Sequence, residues 1–235
     1  MKVGGLQPVT LLDYPQKVAA IIFTNGCNMR CPFCHNPDLV LPELINKQAP
    51  LPEGEVFDFL KKRKKYLDGL VITGGEPTMQ GDIVDFCQKV KKIGYLIKFD
   101  TNGLLPEILQ ELLDKKLLDY IAMDLKGPLQ KYEKFCGIKV DIKKIKDSIE
   151  KIKNSGLPYE FRSTMVKGLH SKKDVVEMAK TIEGAEKYFL QNFIPPQKTV
   201  GSGFEGKSFL HSELEEFASL ANKYVIVCSL RDGMI

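Results

Sequence analysis

Short apolar runs alternate with segments of helical spacing along most of the chain. The apolar runs predict strands at 18–23, 69–73, 95–100, 119–124, 159–166, 187–193 and 224–228. Between them, apolar positions at helical spacing predict helices at 54–67, 82–93, 105–115, 141–155, 172–183 and 211–222. This alternation predicts an α/β fold in which helices cover a parallel sheet. The carboxyl ends of the strands should then carry the functional site.

Length and composition favour one domain. The 235 residues are 43% hydrophobic, which suffices for one core, so we expect a single domain over 1–235. The stretch 37–52 contains prolines and no periodicity, which predicts an irregular connection along an edge of the sheet. No apolar stretch approaches the ~20 residues of a membrane span, and the first residues lack a signal-peptide apolar region. We therefore expect a cytoplasmic protein without a membrane partner.

The charge balance is mildly basic. Lysine and arginine number 34 against 30 acidic residues, for a net charge of +4. The densest run, 61–65, shares a segment with Val56, Leu60 and Leu67, whose helical spacing leaves the lysines on the outer face. We therefore expect a solvated helix face and no nucleic-acid partner.

Three of the six cysteines, Cys27, Cys31 and Cys34, lie in one short loop after the first apolar run. Thiolates gathered in a loop are typical ligands of an iron–sulfur cluster, and three of them leave one iron of a four-iron cluster open. A zinc site that uses His35 as the fourth ligand is the alternative. Cys87, Cys136 and Cys228 are scattered, which indicates a reducing compartment and no second cluster.

Polar residues also follow the predicted strands, where the carboxyl ends of a parallel sheet should bring them together. They are Thr73-Gly74-Gly75-Glu76-Pro77, Asp100-Thr101-Asn102-Gly103, Asp124-Leu125-Lys126-Gly127, the alternating Arg162 and Thr164, and Gln191. Paired glycines allow a ligand to approach the backbone closely, and opposite charges two apart on one strand suit a zwitterion. The alternatives are an ordinary turn, an internal Asp124–Lys126 ion pair, and hydrogen bonds within the core.

The pattern Cys27-x3-Cys31-x2-Cys34, with Phe33 before the last cysteine, closely resembles the signature of radical S-adenosylmethionine (SAM) enzymes. The run from Cys34 to Pro37 resembles the activating enzymes of glycyl-radical enzymes, especially activators of anaerobic ribonucleoside-triphosphate reductase. This resemblance implies a partial (β/α)6 TIM-like barrel of the radical SAM type, with an open side. It also implies a [4Fe-4S] cluster with one open iron and SAM as cofactors.

The resemblance also assigns roles to residues. The backbone of Gly74, Gly75 and Glu76 would receive the SAM amino group, Asp100 the ammonium charge, Lys126 the carboxylate and Asp124 a ribose hydroxyl. The remaining cofactor-binding candidates are Phe33, Pro77, Thr101, Asn102, Arg162, Thr164 and Gln191. The implied reaction reduces SAM to methionine and a deoxyadenosyl radical, which removes a glycine Cα hydrogen from a partner enzyme. A flavodoxin or ferredoxin would donate the electron.

One departure from the family concerns the segment before the first predicted strand. Many activators carry Asp-Gly-Pro-Gly-x-Arg there, whereas this chain has Asp13-Tyr14-Pro15-Gln16-Lys17, which resembles the ribonucleotide reductase group. A radical SAM enzyme that acts on a small molecule or RNA, and a non-catalytic metal-binding module, stay open as alternatives.

The partner would need a concave face beside the cluster. We expect the segments 1–17 and 195–206 to frame that face, so that changes at Tyr14 and Phe204 lower the radical yield on the partner; a plain barrel rim with flexible loops is the alternative. His170 and His211 precede or begin predicted helices, so we expect them to be surface or capping residues.

Overall fold

One sheet runs through the residues that the computed structural model describes, 1–47 and 49–231, and its eight strands lie side by side in chain order. The strands are β1 (Val3–Thr10), β2 (Ala19–Thr24), β3 (Gly69–Gly74), β4 (Leu96–Thr101), β5 (Tyr120–Asp124), β6 (Tyr159–Met165), β7 (Lys187–Asn192) and β8 (Val227–Arg231). Strands β2 to β8 pair in parallel, whereas β1 pairs antiparallel with β2. The predicted parallel α/β fold is confirmed.

Helices connect the parallel strands. They are α1 (Pro37–Val40), α2 (Pro42–Ile45), α3 (Glu53–Arg63), α4 (Ile83–Ile93), α5 (Pro106–Asp114), α6 (Tyr132–Cys136), α7 (Ile142–Lys153), α8 (Lys172–Thr181) and α9 (His211–Ala221). The prediction of an irregular 37–52 connection is wrong in part, because α1 and α2 each form a single turn there. None of the described helices has the length and apolarity that a bilayer crossing requires.

Local sequence signals set several helix ends. Ser171 and Asp174 form a reciprocal capping box at the start of α8, and Gly94 ends α4 in the left-handed region at a φ of 96°. The last strand begins at Val227, later than the predicted 224–228. The reason is that the Tyr224 and Val225 amides donate to the Ala221 carbonyl at 2.9 and 3.3 Å, which keeps these two residues in the turn that follows α9.

Strand β1 was not predicted. It runs through Val3-Gly4-Gly5-Leu6-Gln7-Pro8-Val9-Thr10, which has two glycines, a proline and no regular alternation. Such a sequence forms an edge strand because proline needs no partner on its open side. Its register with β2 shifts between Val3 and Gly5 and again between Gln7 and Thr10. The chain then turns back toward the interior of the sheet.

The concave face of the curved sheet encloses a small apolar cluster. Tyr14, Ala19, Ile21, Val71 and Tyr120 are all buried there, and the Tyr14 and Tyr120 ring centroids are 6.0 Å apart. The expectation that Tyr14 faces a partner is therefore wrong. A Cβ on Gly69, the first residue of β3, would lie 2.8 Å from the Tyr14 ring, so the segment after β1 packs against the amino ends of the parallel strands.

The two edge strands approach each other through one side chain. Arg231 in β8 donates to the Leu12 carbonyl at 3.1 Å, beyond the end of β1, and to Glu160 Oε1 at 2.7 Å. No ladder joins β1 to β8 in the described part of the chain. The sheet is therefore a partial barrel with an open side, as the resemblance implied.

Candidate functional site

The loop after β2 presents the three clustered cysteines to one cavity. Cys27, Cys31 and Cys34 line a cavity of about 210 Å³ at the carboxyl ends of the strands. Cys31 is buried, and the other two are half-buried. Cys87, Cys136 and Cys228 are buried elsewhere, as the sequence predicted for Cys87. The structure therefore separates three thiols that share a site from three that do not line it.

Hydrogen bonds within the cysteine loop keep it tightly turned. The Arg30 guanidinium donates to the Cys27 carbonyl at 2.6 Å and to the Met29 carbonyl at 2.8 Å. The Cys34 amide donates to the Cys31 carbonyl at 3.0 Å. Met29 N–H also donates to Cys27 Sγ at 3.3 Å. These bonds turn the loop around the space that the thiols line.

The thiols suit a cofactor that brings its own positive charge. Burial raises the pKa of Cys27 to about 11 and that of Cys31 to about 12, so both are protonated at neutral pH until iron replaces the proton. Soft sulfur donors from one curled loop fit an iron–sulfur cluster. The His35 ring, which a zinc site would need, lines the same cavity and packs against Phe193 with centroids 5.1 Å apart.

The Gly74–Gly75 turn lies directly against the chain that enters the cysteine loop. Gly74 has a φ of 121°, and a Cβ there would lie 2.2 Å from the Thr24 nitrogen. A Cβ on Gly75 would lie 2.0 Å from the Gly26 carbonyl oxygen. Neither position can accept a side chain, so the backbone of this turn forms the cavity wall.

Glu76 connects this turn to the end of β4. Its buried carboxylate accepts from Thr101 Oγ1 at 2.8 Å, from the Asn102 amide at 2.7 Å, and from Thr78 N and Oγ1 at 3.1 and 2.5 Å. The Asn102 side chain in turn donates to Asn28 Oδ1 at 2.7 Å, within the cysteine loop. Glu76 is therefore a structural link that fixes three strand-end segments relative to one another.

A network of buried charges lies below the cavity. Asp100 accepts from Lys98 Nζ at 2.5 Å and from Arg162 at 3.1 Å, and Arg162 also donates to Asp124 at 2.9 Å. Glu160, which is fully buried, lies 3.9 Å from Lys98 and 3.8 Å from Arg162. Sequence reasoning missed Lys98 and Glu160. Their only signal was a charged residue at an inward position of an otherwise apolar strand.

Asp124 and Lys126 project toward the same cavity, as the alternation predicted. Lys126 Nζ donates to Asp124 Oδ2 at 3.0 Å, so the internal ion pair that the sequence left open is present. Burial alone would raise the pKa of Asp124, but the cationic Arg162 and Lys126 outweigh it and hold that pKa well below its usual range. Burial acts on Asp100 in the same way, but Arg162 and Lys98 outweigh it and lower the pKa of Asp100, so both aspartates are ionised at neutral pH.

The structure brings most of the predicted site residues to the 210 Å³ cavity. Those that line it are Cys27, Cys31, Phe33, Cys34, Gly74, Gly75, Glu76, Pro77, Asp100, Thr101, Asn102, Asp124, Lys126 and Thr164. Arg162 and Gln191 line a second cavity of about 410 Å³ in the barrel interior, which also reaches Gln7, Thr10 and Asp13. The two cavities share Thr73, Asp100 and Asp124, so they adjoin.

The expectation that His170 is a surface or capping residue is wrong. It is only 5% exposed, and Nδ1 accepts from the Val166 amide at 3.1 Å while Nε2 lies 3.0 Å from the Lys126 carbonyl oxygen. Its ring also packs edge-on against Phe33, with centroids 6.1 Å apart. Lys126 and Phe33 are distant from His170 in sequence, so no local pattern predicted its burial. His211 begins α9 and is exposed, as predicted.

The segment 195–206 lies beside the cysteine loop. Val200 N–H donates to the Cys34 carbonyl at 3.2 Å, and Gly201 N–H donates to the Pro32 carbonyl at 3.1 Å. Phe204 is half-buried and packs near Phe33, with centroids 6.5 Å apart. The segment therefore forms one wall next to the cysteines.

Known proteins resemble this chain over nearly its full length. The radical SAM superfamily matches residues 21–182. A protein of Methanocaldococcus jannaschii, provisionally named a glycyl-radical enzyme activating enzyme, is 35% identical over 232 residues, which cover 95% of this chain and 92% of that protein. The pyruvate formate-lyase-activating enzyme of Clostridium pasteurianum is 25% identical over 237 residues, which cover 93% and 91%.

A solved structure supports the fold. Streptococcus suis SuiB bound to S-adenosylmethionine matches with a TM-score of 0.68 at 15% identity, over 91% of this chain and 52% of SuiB. This chain thus spans about half the length of SuiB. The sequence matches identify the family of this chain, and the structural match agrees with them in fold. The chain belongs to the radical SAM superfamily, which uses a [4Fe-4S] cluster and SAM, and within it to the group of glycyl-radical enzyme activating enzymes.

Proposed function

We propose that this chain activates a glycyl-radical enzyme by removing a hydrogen atom from a glycine Cα of that partner. The observation that carries this proposal is the pair of adjoining cavities. The smaller one holds the thiols and the strand-end charges, and the larger one extends into the open barrel. We also propose that residues 1–235 form one radical SAM core domain in the cytoplasm.

The chain's own side chains would hold the cofactors. Cys27, Cys31 and Cys34 would bind three irons. When bound, the cluster supplies one electron for the reductive cleavage of SAM and thereby a carbon radical. The Gly74–Gly75 backbone would receive the SAM amino group, because no side chain stands in front of it.

Lys126 would bind the SAM carboxylate while it keeps its bond to Asp124. The ammonium has three donors, and one of them is used by Asp124 at 3.0 Å. Asp124 would in turn accept from a ribose hydroxyl. Asp100 already has two cationic partners, Lys98 and Arg162, so the SAM ammonium would be its third. These cations hold Asp100 ionised and in one orientation for that contact.

The partner's glycine would enter through the larger cavity. Gln7, Thr10, Asp13 and Gln191 offer amide, hydroxyl and carboxylate groups along it, and these can bond to an extended peptide backbone. Thr73, Asp100 and Asp124 lie at the boundary with the smaller cavity, so a glycine there would be next to the SAM site. This arrangement favours a chain segment as the substrate.

The similarity to the Methanocaldococcus and Clostridium proteins supports a glycyl-radical partner. The Asp13-Tyr14-Pro15 segment favours anaerobic ribonucleoside-triphosphate reductase as the first partner to test. A flavodoxin or ferredoxin would supply the electron.

The test is anaerobic incubation of the reconstituted protein with SAM, reductant and either the reductase or pyruvate formate-lyase. We expect a glycine-centred radical in the electron paramagnetic resonance spectrum of one partner and none with Cys31→Ala. If neither partner gains a radical, while a small molecule or an RNA consumes SAM stoichiometrically, the proposal is wrong and that substrate class replaces it.

A further inference from the structure

A basic surface contacts the cysteine loop through residues that do not line the cavity. Arg30 N–H donates to the Cys136 carbonyl at 2.8 Å, which joins the loop to the end of α6. Gly137 follows, and a Cβ there would lie 2.0 Å from the Arg30 carbonyl oxygen. Phe135 packs on His170 with centroids 4.7 Å apart. Helix α6 is therefore in direct contact with the segment that carries the thiols.

The charge of this surface is strongly positive. Residues 131–146 contain six lysines against Glu133 and Asp141. Lys131 is paired with Asp174 at 3.3 Å, whereas Lys134 and Lys139 are exposed and have no carboxylate within 4.0 Å among the described residues. The Arg30 guanidinium is held by two backbone carbonyls of the loop. Arg30, Lys134 and Lys139 are named here the cluster-side basic surface.

A second basic run, residues 61–65, lies far from the cysteine loop and serves as a comparison. Residues 61–65 are richer in lysine, with four lysines and one arginine, but Lys64 Nζ lies 4.6 Å from the centre of the Tyr95 ring, immediately before β4 begins. That run is therefore at the amino ends of the parallel strands, opposite the cysteine loop. Of these two basic stretches, the one around α6 adjoins the loop and the one at 61–65 does not, so the two differ in position.

We propose that the cluster-side basic surface docks a small acidic protein that carries one electron. This inference rests on the proposed function, which requires an electron from outside. SAM and the partner's glycine would occupy the cavity side, so the electron must arrive across the other face of the loop. One electron leaves the carrier's reduced centre and enters the cluster, and no bond or proton changes.

The physical argument is electrostatic steering over a short path. Electron transfer weakens steeply with distance, so the carrier must dock against the element that touches the loop. Unpaired cations attract carboxylates over roughly 10 Å at ordinary ionic strength and raise the rate of encounter. Lys134 and Lys139 flank Gly137, where the backbone of α6 meets Arg30. A carrier with clustered Asp and Glu residues would therefore be guided to this point.

The test compares two charge reversals of equal size. Lys134→Glu/Lys139→Glu alters the cluster-side basic surface, and Lys61→Glu/Lys62→Glu alters the remote run. Flavodoxin, an acidic carrier, serves as the probe. Its affinity for the reconstituted protein is measured at about 50 and about 300 mM salt. The rate at which reduced flavodoxin reduces the cluster is followed by electron paramagnetic resonance. No glycyl-radical partner is present, so failure of the proposed function would leave this test intact.

We expect the cluster-side reversal to weaken flavodoxin binding and slow its electron transfer by about tenfold or more at low salt. The remote reversal should change both by less than about twofold. Dithionite, a small reductant that needs no docking, should reduce the wild type and both variants alike, which also shows that they are folded. Equal losses in the two variants would mean that only net charge matters and would overturn the proposal. So would flavodoxin binding that is unaffected by either reversal.

Discussion

At the residue scale, the cysteines divide into two groups that an experiment can separate. Cys27→Ala, Cys31→Ala and Cys34→Ala should each lose the four-iron cluster, because each removes one of the three thiols that line the cavity. Cys87→Ala and Cys228→Ala should keep full iron content, since both thiols are buried away from that cavity. Iron and sulfide analysis of reconstituted protein measures this. Loss of iron in a control variant would show a ligand set different from the one described here.

His170 is the residue whose role depends most on tertiary structure. Nδ1 accepts from the Val166 amide, so Nε2 carries the proton and donates to the Lys126 carbonyl. Replacing it with leucine leaves both backbone groups buried without a partner. His170→Leu should therefore lower the free energy of unfolding by about 1–3 kcal/mol, as measured by urea denaturation. His211→Leu, at an exposed position, should change it by less than about 0.5 kcal/mol.

The pH dependence supplies a second check on His170. Burial lowers its pKa, so the folded state binds this proton less readily than the unfolded state does. The stability from the neutral ring is present above about pH 6.5 and is lost as the pH falls through the folded pKa. The His170→Leu variant should lose less stability than the wild type between pH 7 and pH 5. Equal losses would contradict the buried neutral assignment.

The residues that sequence reasoning found and those it missed differ in a physical way. The cysteines and the Gly74–Gly75 turn were recognisable because their chemistry depends on neighbours in sequence. Lys98 and Glu160 act through partners on other strands, and Lys98 in particular is fully buried against Asp100. Spacing within one strand shows on which face a side chain lies, but not which charged residue of another strand it contacts. The buried network therefore needed the tertiary structure.

At the element scale, strand β8 is joined to the rest of the barrel by Arg231. Its guanidinium is the nearest cation to the fully buried Glu160, at 2.7 Å, whereas Arg162 and Lys98 are 3.8 and 3.9 Å away. Arg231→Met should lower the free energy of unfolding by about 3 kcal/mol, because it leaves this carboxylate undercompensated. Adding Glu160→Gln should recover part of that loss. Arg63→Met is the control, because Arg63 is exposed at the end of α3. An equal loss of unfolding free energy in that variant would refute the argument.

The elements themselves were largely predictable because the pattern of buried positions is strong. Each predicted parallel strand is present, and the helices follow with shifts of a few residues at their ends. Strand β1 was not predicted because Gly4, Gly5 and Pro8 weaken its strand signal. It also pairs antiparallel with β2, which requires the chain to reverse direction between the two strands. That reversal also buried Tyr14, which sequence reasoning had placed on the face toward the partner.

At the scale of the whole molecule, the larger cavity offers a partner a route that is separate from the residues proposed for SAM. The larger cavity is about 410 Å³, nearly twice the 210 Å³ of the cavity beside the thiols, and β1 forms one of its walls. Gln7 lines the larger cavity only. A change at Gln7 can therefore obstruct the route for a partner without touching the residues proposed for SAM.

Gln7→Trp should lower the yield of glycyl radical on the partner by about tenfold or more, because the indole would fill space that the glycine segment needs. Reductive cleavage of SAM without a partner should stay within about twofold of the wild type, since the smaller cavity is unchanged. Val9→Trp is the matched control, as Val9 lies on the same strand, is 52% exposed and does not line the cavity. Radical yield and methionine release are measured on the same samples. An undiminished yield in Gln7→Trp would mean that the glycine reaches the SAM site by another path.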